Sequence, residues 1–195
     1  IAKTEALIEK YQQIKAGLMH DLFTRGIGAD GKLRPRREEA PELYRESAIG
    51  WIPKEWDIQT VESLGGFVTS GSRDWAKYYS KEGALFIRIG NLTREHINFR
   101  LDNIQHVLPP KESDGQRTKL IENDILLSIT ADLRITTVVL KEIGDAYINQ
   151  HIALMRFSNT NFDSRFFGHF FASQIFQNYI KRMNDSGAKR MSEKY

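Results

Sequence analysis

The sequence predicts an α+β fold: a mixed β-sheet domain with packed helices, preceded by a long N-terminal helix of the coiled-coil type. Three observations lead to this class. Apolar residues recur at helical spacing near the start, short segments rich in Val, Ile, Leu and Thr fill the middle, and helical spacing returns near the end. With 41% hydrophobic and 27% charged residues among 195, the composition is that of a folded chain.

The first helix is expected to run from residue 1 to about residue 25. Its apolar stripe has alternating spacings of four and three, and it consists of Leu7, Tyr11, Ile14 and Leu18, extended by Leu22 and Phe23. That spacing is typical of a coiled-coil seam, and Gly26 is the expected C-terminal stop. A seam this short is unstable alone, so it needs another helix of its own protein or of another subunit. Packing onto its own domain is the alternative that periodicity leaves open.

A linker is expected after the helix. Glycines and Asp30 punctuate a turn, and a basic run surrounds Pro35. Two Trp residues, Trp51 and Trp56, flank Pro53, which is typical of an extended segment held to a surface by aromatic side chains. The expected ranges are therefore 1–27 for the helix, 28–49 for the linker and 50–195 for the sheet domain.

Short strands are expected between residues 57 and 160, separated by clusters of Gly, Asn, Asp and Pro. Some alternate only partly, which predicts burial on both faces. The candidates are Ile58–Leu64, Ala84–Ile89, Ile104–Leu108, Ile125–Thr130, Ile135–Leu140 and His151–Phe157.

One helix is expected over Ser164–Met183, with a core-facing aromatic stripe at helical spacing. Asp163 or Ser164 is the expected N-cap, and Gly187 is expected just beyond the end.

Several function classes are excluded or disfavoured by the sequence. The absence of Cys excludes a disulfide scaffold, Cys-ligated zinc, iron–sulfur clusters and a thiol nucleophile. No phosphate-binding loop, metalloprotease motif or nucleophile elbow occurs, and the five His are scattered, so an enzyme is disfavoured. No apolar run approaches the ~20 residues that span a bilayer. With no signal-like segment and no initiator Met, the expectation is a cytoplasmic protein cut from a longer one.

The charge pattern permits a nucleic-acid partner without requiring one. The net charge is +3 and the pI is near 9.0, whereas a sequence-independent DNA-coating protein is far more basic. Loops that combine small residues with hydrogen-bond donors recur along the strand region, and these side-chain types match phosphates and base edges. These loops are Thr69–Lys81, Arg88–Arg94, Gln116–Lys119, Ser128–Arg134, Asn149–His151 and Ser186–Arg190. Each loop alone is also explained as an ordinary polar turn, an alternative that holds for about half of them, but six loops of one chemical character favour a binding surface.

Residues Ile8–Ile27 strongly resemble the conserved spacer helix of the specificity subunit of type I restriction-modification systems. Gly50–Trp56 resembles the start of that family's target recognition domain. Further landmarks of the domain follow in the expected order: Ser70–Ser72, Ile87–Leu92, Asn123–Asp132 and Ile148–Leu154. The resemblance departs from the family in three ways. There is one recognition domain instead of two, no second spacer helix, and Arg134 where many relatives have Gly. The chain is therefore expected to be a fragment or a half-length subunit, and its ends favour a fragment.

The resemblance implies a non-catalytic DNA-recognition subunit. Each recognition domain reads one half of a bipartite double-stranded site, and the helices dock methyltransferase subunits. No cofactor is expected in this chain, because S-adenosylmethionine, ATP and Mg²⁺ belong to the methyltransferase and restriction subunits. A homodimer through the N-terminal helix is a further possible partner arrangement.

Site residues follow from the loops and the resemblance together. The expected DNA-binding set is Ser70, Gly71, Ser72, Arg73, Lys77, Tyr78, Lys81, Arg88, Asn91, Arg117, Thr130, Asp132, Arg134, Asn149, Gln150 and Lys189. Within it, the side chains expected on phosphates are Arg73, Lys77, Lys81 and Lys189. Those expected on base edges are Arg88, Asn91, Arg117, Asp132, Asn149 and Gln150. Two alternatives stay open: an assembly adaptor that reads no sequence, and a stand-alone DNA nuclease or modification enzyme.

Overall fold

A computed structural model describes residues 2–109, 113–130, 135–141, 143–158 and 162–192. The α+β fold class is confirmed: these residues form helices and short strands. The helices are α1 (Ala2–Thr24), α2 (Ser113–Arg117), α3 (Ser164–Ala172) and α4 (Gln174–Ser192). The strands are β1 (Tyr44–Ser47), β2 (Gly50–Pro53), β3 (Gly66–Ser70), β4 (Tyr79–Ser80), β5 (Ala84–Ile87), β6 (His106–Val107), β7 (Ile125–Ser128), β8 (Thr136–Val138), β9 (Ala146–Ile148) and β10 (Ile152–Phe157).

The chain divides into two compact units. The helical unit comprises Ile1–Ile58 and Ser173–Tyr195, and the sheet unit comprises Gln59–Ala172. The sheet unit is thus an insertion between two parts of the helical unit. This structural division falls at other positions than the expected ranges 1–27, 28–49 and 50–195, which stay a prediction about function.

In the helical unit, α1 ends where the sequence predicts. Gly26 follows it with φ +62°, a left-handed conformation that favours glycine, and its N–H donates to Asp21 O at 3.1 Å. A Cβ there would come within 2.4 Å of the Trp56 ring, so glycine also admits this aromatic contact. The chain then turns back and forms the antiparallel hairpin β1–β2, whose register pairs Tyr44 with Pro53.

The apolar stripe of α1 is open to solvent. Relative exposures are 49% for Leu7, 63% for Tyr11, 52% for Ile14 and 52% for Leu18. Every residue from 2 to 18 is exposed, so no described residue covers the apolar face of this part of the helix. Pairing with a further helix stays a prediction.

The sheet unit contains two four-stranded sheets. Their strand orders are β3-β10-β7-β8 and β4-β6-β5-β9. The first is antiparallel throughout, and in the second β5 and β9 run parallel. β8 and β9 are buried at every position, as expected for strands covered on both faces.

The core of the sheet unit contains two clusters, one largely aliphatic and one largely aromatic. Ile148, Ile152 and Leu154 are fully buried within the aliphatic cluster. In the aromatic cluster, Trp75 stacks on Phe86 with ring centroids 5.5 Å apart.

A buried ion pair joins β10 to the segment before β7. The guanidinium of Arg156 donates from Nε to Asp124 Oδ1 and from a terminal nitrogen to Oδ2, each at 2.7 Å. Asp124 is 0% exposed and also accepts from the Ile121 N–H at 2.9 Å. Hydrogen bonding to this carboxylate raises the pKa of the Arg156 guanidinium. The bidentate geometry compensates for burying the charges.

The expected strand over Ile58–Leu64 is wrong. Thr60 and Ser63 exchange side-chain hydrogen bonds at 3.0 Å, and the Leu64 N–H donates to Thr60 O at 3.2 Å. Such local hydroxyl bonds favour a turn over a strand. The strand forms instead at Gly66–Ser70, after the turn.

The single helix expected over Ser164–Met183 is divided in two. Asp163 caps the first, since its Oδ1 accepts from the Phe166 N–H at 2.9 Å. Ser173 lies between the helices and its Oγ accepts from the Phe176 N–H at 3.4 Å, which starts the second. The end expected near Gly187 is wrong, because α4 continues to Ser192. No helix within the described residues is both long and apolar enough to cross a membrane.

Candidate nucleic-acid interface

One edge of the first sheet brings three predicted loops together. β3 ends at Ser70, opposite Ala153 of β10, and β7 ends at Ser128, opposite Ile152 of β10. The carboxyl ends of β3 and β7 therefore flank the beginning of β10. The segments that continue from these ends carry Ser70–Arg73, Thr130 and Asn149–His151.

The second sheet contributes a fourth loop to the same edge. Because β5 and β9 are parallel, with Ile87 opposite Ile148, they finish side by side. The Asn149 N–H donates to Ile87 O at 3.1 Å, which places Arg88 beside Asn149. We call this junction, formed by Ser70–Arg73, Arg88, Thr130 and Asn149–His151, the polar edge.

Gly71 fixes the closest contact at the polar edge. Its N–H donates to Ile152 O at 3.2 Å, and Ser72 forms a parallel bridge with Asn149. A Cβ on Gly71 would lie 2.2 Å from the carbonyl oxygens of both Ile148 and Asn149. Gly71 is buried, so the close approach that this glycine permits is to the protein's own backbone, whereas the sequence predicts it among the residues that contact DNA.

His151 contacts several of the polar side chains, although it is not a member of the predicted DNA-binding set. Its Nδ1 lies 2.8 Å from Thr130 Oγ1 and its Nε2 lies 3.2 Å from Gln150 Nε2. Its backbone N–H donates to Asn149 Oδ1 at 3.2 Å. The signal that could have identified it is its position directly after two amide side chains.

Arg88 and Arg117 bring positive charge near this edge. Arg88 donates to Asn103 Oδ1 at 3.3 Å, and Arg117 donates to Thr69 Oγ1 at 2.7 Å, one residue before Ser70. Arg73 is exposed, two residues beyond Gly71. Ser72 Oγ is buried and, within the described residues, makes no hydrogen bond.

Asn91 has a structural role, contrary to its expected role at a base edge. It is 3% exposed, and its Oδ1 accepts from the Arg88 N–H at 3.0 Å. Its Nδ2 donates to Arg100 O at 3.1 Å and to Asn103 O at 2.9 Å. Its amide is occupied in closing the loop after β5, so no donor is left for a base. Asn149 is 8% exposed, with its Oδ1 engaged as described.

Three predicted residues lie away from the polar edge. Lys77, Tyr78 and Lys81 flank or precede β4, which β6 and β5 separate from β9. β4 and β9 are thus three strand spacings apart, which is roughly 14 Å. Tyr78 packs edge-on against Trp75 with centroids 5.9 Å apart, and Lys77 Nζ lies 5.0 Å from the Tyr78 ring centroid.

The remaining predicted positions cannot be placed at the edge. Asp132 and Arg134 lie outside the described residues. Lys189 belongs to the helix α4, and not to a loop after it as expected, while its side chain is outside the described part. Within the described residues, no cluster of three or more His, Cys, Asp or Glu is placed to hold a metal ion.

Comparisons with known proteins give low-identity structural matches. No family model matches the chain. One match is a structure that concerns complex assembly and conformational transition of the type I R-M system. It is 15% identical with a TM-score of 0.44, and the match covers 87% of this chain and 38% of that chain. The HsdS subunit from Thermoanaerobacter tengcongensis is 15% identical, with a TM-score of 0.42, covering 88% of this chain and 40% of that one. The chain thus spans about two fifths of the length of these proteins.

Proposed function

We propose that this chain is a non-catalytic DNA-recognition module of a type I restriction-modification specificity subunit. The observation that carries the proposal is the polar edge, where four separate loops of the sheet unit converge. The convergence brings amide, hydroxyl, imidazole and guanidinium groups together at this junction. These are the groups that hydrogen-bond base edges and phosphates. Methylation and cleavage would be the work of partner subunits, with their own S-adenosylmethionine, ATP and Mg²⁺.

Roles within the module follow from exposure and bonding. Arg88, Arg117 and Gln150 have side chains that are at least partly accessible, so they are the proposed readers of base edges. Arg73 is proposed to contact phosphate, and Lys77 and Lys81 to contact phosphate further along the duplex. Asn91 and Gly71 support these groups without contacting DNA.

Replacing a base reader should relax sequence preference. Gln150→Ala is expected to cost about 1–3 kcal/mol of discrimination at one base pair, because a side-chain amide pairs specifically with a base edge. Lys81→Ala is expected to weaken binding to every sequence alike and to lower the salt slope by about one. The measurement is methylation mapping of DNA modified by the intact system, together with binding at several salt concentrations.

Lys141→Ala is the matched control, since Lys141 is exposed in the sheet unit and outside the polar edge. Unchanged sequence preference in Gln150→Ala, Arg88→Ala and Arg117→Ala would refute the assignment. Methylation or cleavage of DNA by the purified chain, supplied with Mg²⁺ and S-adenosylmethionine, would refute the non-catalytic role.

The exposed stripe of α1 is proposed to pair with another helix. Its spacing of four, three and four reads the same in both directions. An antiparallel pair of identical stripes therefore places Leu7 opposite Leu18 and Tyr11 opposite Ile14. Such self-complementarity is what a two-fold interface requires. In a solution of this chain, a second copy supplies the partner helix.

A charge within the stripe should separate such a pair. Ile14→Glu is expected to convert a dimer to monomer in sedimentation or light scattering, because it buries an unpaired carboxylate at the seam. Ala16→Glu, at an exposed position off the stripe, is the matched control and should leave the mass unchanged. A monomeric unmodified chain, or equal masses for both variants, would contradict pairing through this stripe.

Charge reversal at Lys10 and Lys15 is expected to reduce assembly with methyltransferase subunits more than DNA affinity.

A further inference from the structure

The helical unit contains a groove that lies apart from the polar edge. Its volume is about 920 Å³, and it lies between the last turns of α1, the hairpin β1–β2 and the first half of α4. All residues that line it belong to the helical unit. The volume is in the range of sites that enclose a ligand, roughly 300–1,000 Å³.

The groove is basic. Five Lys and Arg side chains and two carboxylates line it. The lining therefore has a net charge of +3, equal to that of the whole chain. Both carboxylates are paired: Asp21 Oδ2 lies 3.1 Å from an Arg25 guanidinium nitrogen, and Glu38 Oε1 lies 3.5 Å from one of Arg37. Arg36 and Lys181 are exposed and form no ion pair with another described residue. The net field in the groove therefore favours an anionic ligand.

The groove also has an apolar floor. Phe23, Tyr44 and Ile52 line it and are 8%, 4% and 3% exposed. Trp51 stands at its side with 45% of its surface exposed, and the Arg37 guanidinium carbon lies 4.7 Å from its ring centroid. This Arg–Trp stack keeps the indole in place beside the cations.

The combination of an apolar floor and cations favours a peptide ligand over a nucleic acid. A duplex backbone contacts cations and polar groups and has no apolar side chain to fill a floor. A single strand stacks its bases on several aromatic faces, whereas Trp51 already carries a guanidinium over its ring. A peptide can place an apolar side chain on the floor and carboxylates beside Arg36 and Lys181. Trp, Tyr and Arg are also the residues that most often dominate protein–protein binding energy.

We propose that this groove binds an acidic peptide segment of a protein partner, with one large apolar side chain of that segment on the floor. The site deepens the docking part of the proposed function and stands whether or not the sheet unit reads DNA. Its recognition would combine carboxylate pairing at Arg36 and Lys181 with apolar contact at Trp51.

The test uses the full chain and a display library of short random peptides. Selection is run in parallel on the chain and on the triple variant Arg36→Glu, Trp51→Ala, Lys181→Glu. The expected result is enrichment, on the unmodified chain only, of peptides that carry several carboxylates around a Leu, Phe or Trp. In fluorescence anisotropy, a synthetic version of an enriched peptide should bind the Trp51→Ala or Arg36→Glu variant about tenfold or more weakly than it binds the unmodified chain. Lys141→Glu, outside the groove, is the matched charge control and should bind as the unmodified chain does.

Three outcomes would overturn the proposal. They are equal enrichment on the chain and the triple variant, enrichment of peptides without carboxylates, and loss of single-stranded or duplex DNA binding in the groove variants without any loss of peptide binding. Circular dichroism melting of each single variant identifies any that fails to fold; Arg36→Glu and Lys181→Glu change exposed side chains. Gln150→Ala is measured in the same assay, so that failure of the DNA-reading role is distinguishable from failure of this site.

Discussion

Arg156→Leu is expected to lower the free energy of unfolding by about 3–4 kcal/mol, because it leaves a buried carboxylate without its partner. Asp124 is 0% exposed, so water does not replace the two hydrogen bonds that Arg156 makes to it. The measurement is chemical denaturation followed by circular dichroism. The midpoint should move while the slope stays near that of the unmodified chain.

Two further variants separate loss of charge compensation from loss of packing. Asp124→Asn combined with Arg156→Leu removes the charge yet keeps an acceptor for the Ile121 N–H, and it should recover part of the lost stability. Lys119→Met breaks an exposed ion pair, in which Lys119 Nζ lies 2.6 Å from Asp145 Oδ1. It should have little effect on the free energy of unfolding. Hydrogen bonding to Asp145 raises the pKa of Lys119, which is consistent with a formed pair. Equal losses for Arg156→Leu and Lys119→Met would contradict the interpretation.

Gly71→Ala is expected to lower the free energy of unfolding by about 1–3 kcal/mol and to displace the loop at the polar edge. The added Cβ would meet two backbone carbonyl oxygens at 2.2 Å, and backbone cannot rotate away as a side chain does. Because those carbonyls belong to Ile148 and Asn149, the displacement would also shift Gln150. Denaturation gives the stability change, and methylation mapping of the intact system shows the effect on recognition.

Gly90→Ala is the matched control. A Cβ on Gly90 meets nothing within 4 Å, and this glycine lies in the turn that follows Arg88. Its expected stability change is within about 0.5 kcal/mol. If both variants lost stability equally, the close packing of Gly71 on the strand junction would be refuted.

Elements with clear periodicity could be predicted from the sequence. α1 was found to within a residue or two because its apolar stripe continues until the glycine that ends it. β5, β7 and β10 combine apolar runs with turn residues, and the structure places strands in all three segments. The sequence predicts Asp163 or Ser164 as the N-cap of α3, and the hydrogen bond from the Phe166 N–H shows that Asp163 is the cap.

Other elements depend on interactions that a linear pattern does not contain. β9 has only three residues, and its strand identity comes from pairing with β5, far away in the chain. The break at Ser173 comes from one serine accepting a backbone hydrogen bond where the apolar spacing continues unchanged. Periodicity therefore favoured one helix over two.

The candidate site was partly predictable for the same reason. Residue types identified the loops, but their convergence follows from strand register, which no single segment specifies. The sequence also could not distinguish an accessible amide from one that closes a loop. Asn91 and Gln150 have equivalent chemistry, and only burial shows that the amide of Asn91 is already used.

The sheet unit begins at Gln59 and returns at Ala172 to the unit from which it departed. A segment bounded in this way behaves as a cassette, since both of its ends connect to the same host. Exchange of residues 59–172 for the corresponding stretch of a relative would leave the host's helix and hairpin continuous in sequence. Exchange at these two boundaries would replace the whole polar edge and leave the exposed stripe of α1 and the basic groove unchanged in sequence.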